Sequence, residues 1–157
     1  MGTMELQPHY STLKEAWLRG ERGRESDLDL MFHAWMHWAD PDFVTGLDED
    51  PDALRIWLQI FEHFGGTRSS DVEFLFVAQI MVAFFPFILG DEKEWNCTAA
   101  LLERRLRTND ASQRLQTGDA SSLCAAMFEG RGEYGKYFAH QLRTQPPNKS
   151  LERTRER

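Results

Sequence analysis

A chain of 157 residues, 41% of them hydrophobic, is long enough to bury one substantial core, and its five Trp, eleven Phe and three Tyr supply rings that must be packed out of water. The net charge of −7 argues against nucleic acid as a partner, because an acidic body repels polyphosphates, and makes a basic protein surface the natural counterpart. Cys97 and Cys124 stand alone without CxxC spacing, and no basic segment followed by an apolar run opens the chain, so free thiols in a reducing cytoplasm are expected instead of a disulfide framework or a secretory signal.

Thr12 and Glu15 make a capping-box pattern, and Leu13, Ala16 and Trp17 follow at helical spacing, which predicts a short first helix over residues 12–19. The charged GERGRE stretch reads as a loop. Ser26 is the expected N-cap of the second helix, where Asp27 and Asp29 suit the positive end of the dipole. Leu28, Met31, Phe32, Trp35 and Ala39 recur at three and four and form its core stripe, which Pro41 ends. After an acidic loop, Asp50-Pro51 offers an N-cap followed by proline at the first helical position. Leu54, Trp57, Leu58, Phe61 and Phe64, widened by Ile56 and Ile60, give the next helix a broad apolar face that Gly65-Gly66 stops.

Ser70 and Glu73 repeat the capping-box pattern immediately before Phe74–Leu89, FLFVAQIMVAFFPFIL, in which Gln79 is the only polar side chain. With no polar face, this stretch must be surrounded by lipid or by the rest of the protein. Sixteen residues of helix span about 24 Å, short of the roughly 30 Å of a hydrocarbon core. Its flanks carry Asp71, Glu73, Asp91, Glu92 and Glu94, with Lys93 the only base close by, whereas a spanning helix shows Lys or Arg on its cytoplasmic side. The expectation is a buried central helix over about residues 71–89, kinked or broken near Pro86, and no membrane partner. Gln79 must then find hydrogen-bond partners in the core or face a cleft, which makes it a marker for a pocket.

Asp91 caps the following helix, with Glu92 and Glu94 in its first turn, Arg104, Arg105 and Arg107 in its last, and Trp95, Ala99, Leu102 and Leu106 as its core residues. Residues 109–119 are weakly patterned, and Ser121 or Ser122 opens a helix through Leu123, Ala126 and Met127. A glycine-rich turn around Arg131 leads into a last helix bearing Tyr134, Tyr137, Phe138 and Leu142. The Pro-Pro and charged residues beyond it read as a disordered basic tail, residues 145–157, outside a single helical domain of residues 1–144. No segment alternates apolar and polar residues over a strand's length. The expected fold class is all-α: a compact bundle or short solenoid-like stack of six to seven helices around the central one.

Three constellations carry possible chemistry. His33 and His37 lie four apart, so both imidazoles share a helix face, and Asp29 and Glu25 continue that line. Ala34 stands where a zincin carries its catalytic Glu, and no Glu-x-x-His pair occurs. The simpler account is a polar face opposite Leu28, Met31 and Trp35, with Asp29–His33 an ordinary pair; the alternative is a divalent transition metal on His33, His37 and Asp29. The loop from Asp40 to Asp52 holds six carboxylates and no base. Counted as a calcium loop it has Thr45 where Gly is needed and Pro51 where a bidentate Glu is needed. That leaves a solvated capping loop or a docking surface for a basic partner, built from Asp40, Asp42, Asp48, Glu49 and Asp50. RGEYG has no phosphate-loop pattern and reads as a tight turn, with Arg131 and Tyr134 as part of an exposed recognition patch.

Neither cysteine has a histidine near it in sequence and no GxSxG occurs, so no enzyme is expected. The favoured expectation is a soluble acidic helical interaction protein, an inhibitor or immunity-type binder of a basic protein partner, without a cofactor. The alternative is a metal- or small-molecule-binding helical protein using His33 and His37. A homodimer is a second way to cover the surplus aromatic surface.

Overall fold

The computed structural model describes residues 6–108 and 128–144, and among these every regular element is helical. Six longer helices, α1 (Gln7–Leu18), α2 (Arg24–Ala39), α4 (Ala53–His63), α5 (Val72–Phe84), α7 (Glu92–Thr108) and α8 (Gly132–Thr144), pack as a bundle. Two single turns, α3 (Asp42–Thr45) and α6 (Pro86–Leu89), and a turn of 3-10 helix at Gly66–Arg68 complete the described elements. The helix expected through Leu123, Ala126 and Met127, the weak pattern before it and the basic tail lie outside the described residues.

α5 is the inner helix. Phe74 to Ala78 and Ile80 to Val82 are all buried, so rings and branched side chains leave it on every side. Phe74 meets Phe61 and Phe64 of α4, Phe76 meets Phe138 of α8, and Trp57 of α4 donates its indole N–H to Met81 Sδ at 3.2 Å. α7 lies along its remaining length and continues over α6. Each such fully buried large side chain stabilises the fold by roughly 1.5–3 kcal/mol. The break comes at Phe85, whose extended φ of −138° precedes Pro86 at the start of α6. No helix among the described residues is long and apolar enough to cross a membrane. Gln79 is half-buried and is not among the residues that line the acidic cleft described below.

Several helix starts depart from expectation. α1 begins five residues early, because Pro8 is tolerated in a first turn where its missing N–H costs nothing; Thr12 sits inside the helix and donates its hydroxyl to Pro8 O at 3.0 Å. α2 starts at Arg24 with Gly23 as N-cap, and the Ser26 hydroxyl bonds back to Gly23 O. Asp71, not Ser70, caps α5 by accepting the Phe74 amide at 3.1 Å. α4 opens after a turn in which Asp50 Oδ1 accepts the Asp52 amide, and its fully buried face centres on Ile56, Trp57, Ile60 and Phe61, with Leu54, Leu58 and Phe64 on the margins. Gly65, at φ +98°, ends α4 in the left-handed region as its residue type permits. Asp91 caps α7 as its sequence demands, accepting the Glu94 amide at 3.0 Å.

Candidate functional site

The acidic loop between α2 and α4 is tied down by α1. Leu6 N–H donates to Thr45 O at 3.2 Å, and the Asp48 amide donates to Gln7 Oε1 at 2.8 Å. Further along α1, Tyr10 Oη–H and the Lys14 ammonium both donate to Asp50 Oδ2, at 2.6 and 2.8 Å. Within the loop Thr45 is fully buried, its Oγ1 accepting the Leu47 amide, and Leu47 is a core residue. One face of the loop is therefore anchored to the core and to α1, while the other bounds a cleft.

That cleft encloses about 740 Å³. His37, Trp38 and Asp40 at the end of α2 form one wall, and Thr45 with Leu47 to Pro51 the other, closed by Ala53 and Leu54 of α4. Four of the lining residues are acidic (Asp40, Asp48, Glu49, Asp50), and no Lys or Arg is among the described residues that line it. Asp48 and Glu49 are exposed and Asp40 is half-buried. Asp42 opens α3.

Electrostatics divide the four carboxylates. Burial works against the charge of Asp50, yet hydrogen bonds from Lys14, Tyr10 and the Asp52 amide outweigh it and bring its carboxyl down to about 2. Asp50 is thus committed to holding α1 and is not free for a partner. Burial and the field of Asp40 push the Tyr137 phenol up to about 12, which places that negative charge beside α8. His37 is held below its ordinary value, chiefly by burial, against the hydrogen bonds its Nδ1–H donates to the carbonyls of His33 (2.9 Å) and Ala34 (3.2 Å). Its Nε2 then carries the lone pair, and that atom is buried with no hydrogen-bond partner among the described residues; the same holds for the Trp38 indole N–H. An unpaired acceptor and an unpaired donor thus belong to two side chains of one cleft wall.

Arg131 and Tyr134 do not form an exposed patch. Tyr134 is 0% exposed and, like Arg131, donates to Glu73 Oε2. Glu73, itself 3% exposed in the first turn of α5, also receives Arg24 at 3.3 Å, while Arg24 grips Asp71 through two bonds of 2.8 and 2.9 Å. The cluster joins the starts of α2, α5 and α8. Its charges are matched within the fold, so it serves structure.

The histidine stripe is also rearranged. The line from Asp29 to His37 is not a solvated polar face, because α1 covers it: His33 is only 2% exposed, and Tyr10 meets His37 edge-on at 4.5 Å, while Glu25 stays exposed. Asp29 finds a polar partner on α1 in His9, and His33 and His37 donate Nδ1–H to backbone carbonyls of α2 itself. Asp29 and His33 stay together, with His33 Nδ1 3.1 Å from Asp29 Oδ1, but His37 turns to the cleft. His9 of α1 takes its place, its Nε2 2.6 Å from Asp29 Oδ2. The sequence signal for His9 was the spacing Leu6, Tyr10, Leu13, Trp17, which runs through Pro8 and carries His9 beside the buried side of α1. His63 pairs with Asp27 at 3.6 Å and His140 lies exposed on α8, so neither joins.

Fold and site together define an all-α protein with an acidic cleft strapped shut on one side by its first helix. No family model, curated relative or solved structure matches the chain.

Proposed function

We propose that this protein binds a basic protein partner by drawing a Lys or Arg side chain of that partner into the acidic cleft, covering a basic surface in the manner of an immunity-type inhibitor. The observation that carries this is the cleft's lining, in which Asp40, Asp48 and Glu49 stand with no Lys or Arg among the described lining residues. A Lys or Arg head entering there meets carboxylates, the free Nε2 acceptor of neutral His37 and the indole of Trp38, which favours cations over its face. The cleft's volume falls in the range that accommodates a side chain with its flanking backbone. Charge complementarity of this kind raises the association rate and selects partners by sign.

The test is a titration of nitrogen-15-labelled protein with a short oligo-arginine peptide. Amide shifts confined to residues 37–54, together with the Trp38 indole signal, support the proposal. Shifts scattered over the acidic surface, or none, contradict it.

A further inference from the structure

We infer that His9, Asp29 and His33 form a binding site for a divalent transition-metal ion of the zinc class, separate from the acidic cleft. One donor atom from each residue lies within 4.8 Å of the other two, and none of the three lines the cleft. Asp29 and His33 are one helical turn apart on α2, and His9 reaches across from the first turn of α1. Asp29 Oδ2 faces His9 Nε2 at 2.6 Å, Asp29 Oδ1 lies 3.1 Å from His33 Nδ1, the ring nitrogen turned to the α2 backbone, and the two rings meet edge-on at 5.0 Å.

Two imidazole nitrogens and one carboxylate oxygen are a donor set for zinc and its neighbours, with water completing the coordination; calcium and magnesium want oxygen alone. His33 is already oriented as a metal-ligating histidine is, with Nδ1 2.8 Å from the Asp29 backbone carbonyl, which fixes the tautomer that keeps a lone pair on Nε2.

The His9–Asp29 contact needs small adjustment only. Ligands on a tetrahedral ion with bonds of about 2.1 Å stand about 3.4 Å apart, so the His9–Asp29 contact opens by less than about 1 Å as the ion replaces the shared proton. The residue that must move is the one free to do so: the His9 side chain is 54% exposed, Asp29 21% and His33 2%. A bound ion would clip α1 to α2 and, through Tyr10 and Lys14 on α1, steady the loop held at Asp50.

The experiment is calorimetric titration of the full chain, free of any added histidine tag and stripped with chelator, with Zn2+ alone, alongside thermal melts. The expected result is one equivalent bound with a rise in Tm. His9→Gln and Asp29→Asn each weaken binding by at least about tenfold. His9→Gln keeps an amide donor for Asp29, so its metal-free Tm falls by less than the rise that Zn2+ gives the wild type, and His140→Gln on α8 leaves binding unchanged. No binding by the folded wild-type chain overturns the site, and so does an affinity unchanged in His9→Gln, which would put the ion elsewhere. The oligo-arginine titration reads the cleft alone, so either result stands without the other.

Discussion

Around Glu73, two arginines and a phenol converge on one buried carboxylate, whereas the loop from Asp40 to Asp52 gathers six carboxylates beside a cleft with no Lys or Arg among its described lining residues. A charge removed from water is tolerable only when it is paired and hydrogen-bonded, and the Glu73 cluster meets that condition by drawing on three helices at once. Of the loop carboxylates Asp48 and Glu49 are exposed and Asp40 is half-buried, and near water two like charges 4 Å apart repel by only about 1 kcal/mol, so the fold can leave these three unmatched at small cost. Charge compensated inside the molecule holds the bundle together; charge left uncompensated on an anchored loop is available to a partner.

Breaking the compensated cluster should have the largest effect. Glu73→Ala removes the buried acceptor that Arg131 and the Tyr134 phenol share and one of the two carboxylates that hold Arg24, and is expected to lower unfolding stability by about 3–5 kcal/mol in a denaturant titration. A loss below about 1 kcal/mol would mean that water satisfies the cluster. Asp50→Asn comes next, since it weakens two charge-assisted bonds that pin α1 to the loop; the expected loss is on the order of 1–2 kcal/mol near neutral pH. Because the Asp50 carboxyl is depressed from 3.8 to about 2, its contribution is fully present above 3.8 and vanishes as pH falls through 2, so wild type and Asp50→Asn should converge in stability in strong acid.

A smaller effect belongs to His37. Its folded value lies below 6.5, so the unfolded chain takes a proton where the folded one resists; stability from this group is complete above pH 6.5 and declines as pH drops below it. His37→Gln should flatten that part of the pH–stability curve, read as Tm between pH 7 and mildly acidic buffers. Smallest of all is Asp48→Asn with Glu49→Gln: both side chains are exposed, and stability should move by less than about 0.5 kcal/mol. A large loss there would turn the cleft carboxylates into structural groups.

The parts of this molecule that were legible in sequence are those governed by local rules. The α5 stretch, its break before Pro86, the carboxylate cap and dipole of α7 and the glycine stop after α4 all follow from residues within a few positions of one another. The acidic loop was legible by composition, and Asp40, Asp48, Glu49 and Asp50 line the cleft. Tyr134 and Arg131 were misplaced because the carboxylate that buries them is 61 and 58 residues away, and no local pattern announces such a partner. The caps expected at Thr12 and Ser26 misled because Ser and Thr also serve inside a helix, where the hydroxyl bonds back to a preceding carbonyl. His9 was missed along with the first turn of α1, and with it the third member of the Asp29–His33 group.

The most direct measurement compares two variants that change the net charge equally: Asp48→Asn with Glu49→Gln in the cleft, and Glu92→Gln with Glu94→Gln at the exposed start of α7. Affinity for an oligo-arginine peptide is measured for both at low and at physiological salt. The cleft account predicts at least about a tenfold loss for the first pair, as two desolvated charge contacts imply, and less than about twofold for the second, where only long-range attraction changes. Equal losses in the two variants would contradict it, since binding would then follow overall charge and the cleft would have no part in it.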